Sequence, residues 1–368
     1  MAASADVAVI GAGVVGLSTA LALSGQGASV TIYERGVPGN GQSGGESRIF
    51  RHAHDDRRMV ALACESRAVW REWEERFGQE LLSRDGVVAI GPTVERRLAV
   101  LLDAGGVRVG RISSDELSQA LPVLAPWDGP AMLDEDGGVI RARATIESLL
   151  RELSGSLVAE EVMSMRITAR GSVEVRTGGA IAEHDRAVLC AGRGNVALAR
   201  TAGVPLPVRQ AAHVRLTYRL ASAPPARLPC LLDGSGAFGD VAYGDPLPGN
   251  AAYAVGIGEA AVHEDGSLID PAALADATER TTAYVQRALP GLVPNQVEAR
   301  HCWVTELPWN PDGVAVWEAG GLLIVAGNNL FKHAPLLGRR VAGAVLGDGV
   351  PANLRPQAKL GAERYGPD

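Results

Sequence analysis

The chain has 368 residues and a mass of 38.3 kDa, with 46% hydrophobic and 21% charged residues, which is long enough for two lobes or two interleaved domains and too apolar for a disordered chain. A net charge of −7 and a pI of about 5.6 give no electrostatic basis for holding phosphate backbones or anionic membranes, so neither nucleic acid nor a membrane is an expected partner. The apolar run Val7 to Ile10 is short and broken at once by glycines, no later stretch reaches the length of a membrane span, and a cytoplasmic protein is expected.

The chain opens with Asp6-Val-Ala-Val-Ile-Gly-Ala-Gly-Val-Val-Gly16, continues Leu-Ser-Thr-Ala-Leu-Ala-Leu, and then reads Ala28-Ser-Val-Thr-Ile-Tyr-Glu34. This order predicts strand, tight turn, helix and second strand. Gly11 permits the turn, Gly13 lets a pyrophosphate approach the helix N-terminus, and Gly16 allows the helix to pack closely on the sheet. Glu34 closes the second strand where a carboxylate accepts the ribose hydroxyls and disfavours a 2′-phosphate. The glycine pattern alone is a weak signal. Together with both strands, the helix and the terminal Glu34 it is a strong one for a dinucleotide site.

Two later stretches have the character of buried parallel strands: Asp185-Arg-Ala-Val-Leu-Cys-Ala-Gly192 and Gly321-Leu-Leu-Ile-Val-Ala-Gly327, the second followed by a helical pattern from about Leu336. Gly192 and Gly327 end these strands, where the chain passes beside a nucleotide. A nucleotide domain assembled from three distant segments suits FAD, whose length needs more wall than NAD. Between these stretches, the proline patch Ala223-Pro-Pro-Ala226 and the predicted loop Asp245-Pro-Leu-Pro-Gly-Asn250 break the middle region into short strands. The four cysteines, Cys64, Cys190, Cys230 and Cys302, are scattered without a C-x-x-C pair or a histidine at ligand spacing, which argues against zinc and a disulfide framework. Of the 35 basic residues two are lysines, Lys332 and Lys359.

The segment Gly41-Gln-Ser-Gly-Gly-Glu-Ser-Arg-Ile-Phe-Arg-His-Ala53 resembles the one that follows the first βαβ unit in the monomeric sarcosine oxidase and N-methyltryptophan oxidase family. Asp85-Gly-Val-Val-Ala-Ile-Gly-Pro92, Asp136-Gly-Gly-Val-Ile140, Ile269-Asp-Pro271 and Arg300-His-Cys-Trp-Val-Thr305 match that family in order and spacing. Five matches in order imply the wider D-amino-acid-oxidase-like group. The fold implied is α/β: a Rossmann-like FAD-binding domain from 1–83, 143–206 and 314–368, and a mainly antiparallel β-sheet substrate domain from 84–142 and 207–313.

The same resemblance assigns roles. Arg48 is placed by the flavin and Arg51 at the substrate carboxylate, which a planar guanidinium can grip at both oxygens. Lys332, in Gly327-Asn-Asn-Leu-Phe-Lys332, matches the lysine that holds the substrate carboxylate, on a turn about two residues shorter than the family's. Cys302 aligns with the cysteine that carries FAD through a thioether to the 8α carbon. Read without the resemblance, the arginines are surface ion pairs, Lys332 is an exposed lysine, and Cys302 is an inert buried hydrophobe. His52, His301 and His333 lie in the proposed site segments, where a structural histidine is the plainer reading of each. Trp303, Trp309 and Phe331 permit an aromatic substrate or are simple packing.

Three departures separate this chain from sarcosine oxidase. The family tyrosine two residues after the flavin-linked cysteine is Val304, the histidine of the flavin loop is Gly44, and the lysine of the strand Ala251-Ala-Tyr-Ala-Val-Gly-Ile257 is replaced by Ala254. The expected reaction is FAD-dependent oxidation of the C–N bond of a small secondary amine, imino acid or amino acid bearing a carboxylate. A hydride equivalent leaves the carbon next to nitrogen for flavin N5, and O₂ or another acceptor takes the electrons. The alternatives are a dehydrogenase with a non-O₂ acceptor, a flavin monooxygenase, and a flavin module without turnover. The Gly-Asp motif of aromatic hydroxylases is Gly327-Asn328 here, which disfavours the second. Cations set against a flavin without an anion are costly to desolvate, which disfavours the third.

Overall fold

The structure is a computed structural model that describes residues 6–261 and 270–363; Ile269 of the Ile-Asp-Pro motif lies outside the described residues. The chain divides into two compact units, Met1–Gly45 with Arg143–Gln210 and Val304–Ala362, and Glu46–Ala142 with Ala211–Trp303 and Glu363–Asp368.

In the first unit, β1 (Asp6–Ile10), α1 (Val14–Gly25) and β2 (Ser29–Tyr33) form the predicted βαβ unit. The two strands pair in parallel, Asp6 opposite Ser29 through Ile10 opposite Tyr33. The strand Arg186–Leu189 pairs in parallel with the other edge of β1, and Leu322–Gly327 pairs in parallel with Arg186–Leu189. The three distant segments therefore meet in one sheet, six strands wide with Val314–Ala319 and Leu157–Val158 at its edges. Its strands read as almost unbroken apolar runs because both faces are covered. On one side Ala8, Ile10, Leu189 and Ile324 pack with Met165 and Val175 of a separate three-stranded sheet. Helix α1, buried nearly all round, lies against the last α-helix, Ala334–Gly343.

The second unit is built on an eight-stranded sheet with the order 292–306, 209–220, 252–261, 242–246, 230–233, 87–90, 131–134 and 109–111. The registered pairs are antiparallel except Cys230–Asp233 beside Val87–Ile90. Leu216, Tyr218, Tyr253, Val255 and Leu231 of one face pack with Tyr284 and Val285 of the helix Pro271–Ala288. The stretch 46–83, which the sequence reading grouped with the nucleotide segments, clusters in this second unit. The strand Ser47–Phe50 pairs antiparallel with Gly138–Arg141, and Val60 of the following helix, Arg57–Phe77, packs with Ala89, Val94 and Leu98. Residues 207–210 and 304–313 cluster in turn with the first unit. Asp245 and Pro246, read as loop, end the strand Ala242–Pro246, with Asp245 opposite Ala254.

Candidate active site

In the first unit the site is built around the turn between β1 and α1. Gly11 has φ +101°, and a side chain there would start 2.7 Å from the Cys190 carbonyl oxygen; one at Gly16 would start 2.0 Å from the Gly11 carbonyl oxygen. Both positions are therefore closed to other residues, and the turn lies directly on the end of the neighbouring strand. Gly13 is the cap residue of α1 and has no side chain with which to bond the helix. The Val14 N–H donates to the Ser43 hydroxyl at 3.0 Å, and the Ala12 and Gly36 N–H groups donate to the two Glu34 carboxylate oxygens at 2.8 and 2.9 Å. A carboxylate with two oxygens has lone pairs left for ribose hydroxyls. A helix N-terminus is an anion site, so these residues fit the adenosine and pyrophosphate half of FAD. Gly192 faces the Gln42 side-chain amide, and Gln42 reaches Thr305 Oγ1 at 3.4 Å. Ser43 and Gln42 were missed as contributors to this loop, although both stand in the quoted 41–53 motif.

Gly327 ends the strand Leu322–Gly327, and Lys332 follows on the one-turn helix Leu330–His333. Lys332 is 2% exposed and His333 fully buried. Phe331 is also buried, and Trp309 donates its indole N–H to the Leu360 carbonyl at 3.1 Å, a packing arrangement.

In the second unit one face of the large sheet is polar. Arg215, on the strand Arg209–Leu220, pairs across the sheet with Gly256, and Gly256 with Tyr243; in the next row Thr217 pairs with Ala254, and Ala254 with Asp245. Alternation along strands puts these rows on one face. The Tyr243 ring lies over Gly256, where a Cβ would be 2.4 Å from its hydroxyl. Arg215 Nη2 donates to both Asp245 oxygens at 2.7 and 2.6 Å and to Ser47 Oγ at 3.0 Å, and Nη1 donates to the Ser47 carbonyl at 3.0 Å. Arg215 and Asp245 side chains are 9% and 1% exposed. Burial works against the Arg215 charge, but Asp245, with Tyr243 and Cys302 behind it, holds its pKa above the ordinary value. Arg48 lies in the same electrostatic neighbourhood: burial pulls its pKa down, Cys302 acts the other way, and Arg215 adds to the lowering. Burial likewise pushes the Tyr243 phenol up.

The structure thus brings Arg48 and Cys302 into one charged cluster, together with Arg215, Asp245 and Tyr243, which the sequence reading missed. The available signal was a charged residue within an apolar strand pattern, Val214-Arg-Leu-Thr-Tyr218 and Ala242-Tyr-Gly-Asp245. Ala254 is 2% exposed and brings no charge to this face, while the two charges beside it neutralise each other. Among the other cysteines, burial pushes Cys190 up to about 12 and raises Cys230 well above the usual thiol range, and burial with nearby Asp134 raises Cys64.

Arg51 belongs to the second unit, just beyond the strand Ser47–Phe50, so it and Lys332 stand in different units. Its Nη1 donates to the Ala53 carbonyl and lies 3.5 Å from His54 Nδ1. His52 is buried against Asp134, whereas His301 is exposed. Among the described residues no group of three or more His, Cys, Asp and Glu could hold a metal ion, and no helix is long and apolar enough to cross a membrane.

The chain belongs to the DAO family, described as FAD dependent oxidoreductase, which matches residues 6–344. It is 27% identical over 362 residues to the peroxisomal sarcosine oxidase of Homo sapiens, across 91% of this chain and 90% of that one. It is 26% identical over 216 residues to the monomeric sarcosine oxidase of Bacillus sp. (strain B-0618), a match that covers 55% of each. Among solved structures its fold is similar to that of NikD, an unusual amino acid oxidase essential for nikkomycin biosynthesis (TM-score 0.82, 22% identity, 99% of this chain and 98% of that one). L-proline dehydrogenase from P. horikoshii is similar to the same degree (TM-score 0.82, 18% identity, 98% of each). FAD is accordingly the cofactor of this family member.

The buried Arg215–Asp245 pair sets a stability prediction. Asp245→Ala leaves a guanidinium out of water without its counter-charge and is expected to cost about 3–5 kcal/mol, while replacing both partners by apolar residues (Arg215→Met with Asp245→Leu) should recover most of that loss. Urea denaturation followed by tryptophan fluorescence checks it; an unchanged midpoint for Asp245→Ala would refute the account of the pair.

Proposed function

We propose that the protein oxidises the C–N bond of a small secondary amine, imino acid or amino acid bearing a carboxylate. The observation that carries this reading is the place of Lys332: it is buried, five residues beyond the strand Leu322–Gly327, in the motif where the resembling family has the lysine that holds the substrate carboxylate. The names of the relatives, sarcosine oxidases by sequence and an amino acid oxidase and a proline dehydrogenase by fold, support the same substrate class. FAD, when bound, supplies the two-electron acceptor. The first unit is assigned to the cofactor and the sheet of the second unit to the substrate. Arg51 and Lys332 hold the substrate carboxylate, Arg48 lies by the flavin, and Cys302 carries the cofactor covalently.

Orientation is the main service these side chains provide. A guanidinium gripping two carboxylate oxygens fixes the α-carbon in position and angle. In an anaerobic cuvette, N-methyl amino acids and cyclic imino acids should bleach the flavin without NAD(P)H, an outcome a monooxygenase or a non-redox module does not give. Arg51→Met or Lys332→Met should lower kcat/KM on the best carboxylate substrate by roughly 30- to 1000-fold, on the order of 2–4 kcal/mol. Unchanged kinetics in both variants would remove the carboxylate assignment.

Covalent attachment has a direct test. Acid precipitation should leave yellow colour in the pellet of the wild type, and Cys302→Ser should release it to the supernatant; equal release from both ends the proposal.

A second reading, a dehydrogenase passing electrons to an acceptor other than O₂, is favoured by Ala254. The first electron given to O₂ creates an anion, and in the resembling oxidases a strand lysine stabilises it. Two unit charges about 4 Å apart at an effective dielectric of about 20 interact by about 4 kcal/mol, roughly a thousandfold in rate. On this face Asp245 already neutralises Arg215. Slow reoxidation is therefore expected when reduced enzyme meets oxygenated buffer in stopped flow, with Ala254→Lys faster. Rapid reoxidation of the wild type with no gain from the lysine would leave the oxidase reading without this qualification.

A further inference from the structure

Beside Arg51 lies a buried pair that the reaction proposed above does not use. His52 and Asp134 are 2% and 1% exposed, and His52 Nδ1 is 3.1 and 3.0 Å from the two Asp134 oxygens. An aspartate carboxylate only accepts, so Nδ1 carries the proton. The same carboxylate accepts the His52 main-chain N–H at 2.9 Å and the Gly137 N–H at 3.0 Å. One side chain thus holds both the ring and the backbone of His52, from the strand Ala131–Asp134 of the large sheet. The Phe50 ring meets the His52 ring edge-on at 5.1 Å.

Arg51 immediately precedes this anchor and reaches past it. Its guanidinium donates to the carbonyl of Ala53 and lies beside His54, so the groups that aim it sit on the stretch that Asp134 immobilises. Residues 51–54 belong to no strand or helix, and no regular hydrogen-bond ladder would otherwise fix their carbonyls. We infer that Asp134 and His52 are positioning residues for Arg51: they hold the 51–54 segment so that the guanidinium presents its fork to the substrate carboxylate. The inference rests on the carboxylate-binding reading of Arg51. A buried carboxylate accepting an imidazole N–H fixes both the tautomer and the orientation of the ring, and displacement of a gripping group by about 1 Å can cost on the order of a hundredfold.

The test is a set of variants of the FAD-loaded enzyme, titrated with 2-furoate as an unreactive carboxylate and followed by the flavin absorbance change. Asp134→Asn and His52→Gln should each weaken 2-furoate by on the order of 10- to 100-fold. They should raise KM for a carboxylate substrate with kcat little changed, and leave KM for the corresponding decarboxylated amine unmoved. A double replacement, Arg51→Met with Asp134→Asn, should bind 2-furoate no more weakly than Arg51→Met alone, because the pair acts only through that guanidinium. Multiplying losses in the double variant, equal losses on the decarboxylated amine, or undiminished 2-furoate binding in Asp134→Asn each overturn the inference. If Asp134→Asn does not fold, His52→Gln with its own Arg51→Met double carries the same cycle. If Arg51→Met itself binds 2-furoate as the wild type does, the carboxylate reading falls first and the inference with it; a weakened Arg51→Met beside an unaffected Asp134→Asn removes the inference alone.

Discussion

The contact between the Gly11 turn and the end of the strand Arg186–Leu189 governs the first unit. At Gly11 the backbone passes so close to the Cys190 carbonyl that no Cβ fits, and at Gly16 the helix returns so close to the turn that the same holds. Parallel pairing of β1 with residues 186–189 then fixes where β2 can end, and so places Glu34 against the Ala12 N–H. The N-terminus of α1, with Gly13 as its cap residue and the Ser43 hydroxyl accepting the Val14 N–H, lies at the centre of this arrangement. The remaining N–H groups of such an end are satisfied by an anion or water.

The second unit is governed by a different requirement, the burial of charge. Arg215, Asp245, Arg48 and Tyr243 stand on or over a sheet whose other face is a plain apolar core. Desolvating a guanidinium is unfavourable unless a carboxylate stays with it, and Asp245 does so with both oxygens. The pair gives this face polarity and fixed donors while adding no net charge beyond that of Arg48. Ala254, buried beside this pair, adds no charge to the face. His52 and Asp134 apply the same rule on a smaller scale, a polar pair buried because each satisfies the other.

Much of the fold was legible because the signals were local and periodic. The βαβ unit announces itself through glycines at fixed offsets, and the strands at 186–189 and 322–327 through apolar runs ending in glycine. Their union into one sheet followed from the need of a nucleotide for a continuous wall. Asp245 was misread as loop because prolines and glycine follow it, and proline at the end of an edge-facing run marks a turn more often than a paired strand. The stretch 46–83 was placed with the nucleotide segments by the family resemblance, whereas its hydrogen bonds and apolar contacts run to residues 87–141. Proximity along the chain carries no information about which sheet a strand will join.

By itself, then, the amino-acid sequence determined the dinucleotide turn, the acidic end of β2, the two-part α/β and antiparallel architecture, and the family whose motifs run through the chain. These depend on residue types at short, fixed spacings, where backbone geometry leaves few choices. Tertiary structure alone decided that Arg215 meets Asp245 30 residues away, that Asp134 meets His52 82 residues away, and that Lys332 is withdrawn from water. The Arg215–Asp245 pairing depends on strand register, and a shift of one residue would have turned either side chain to the opposite face.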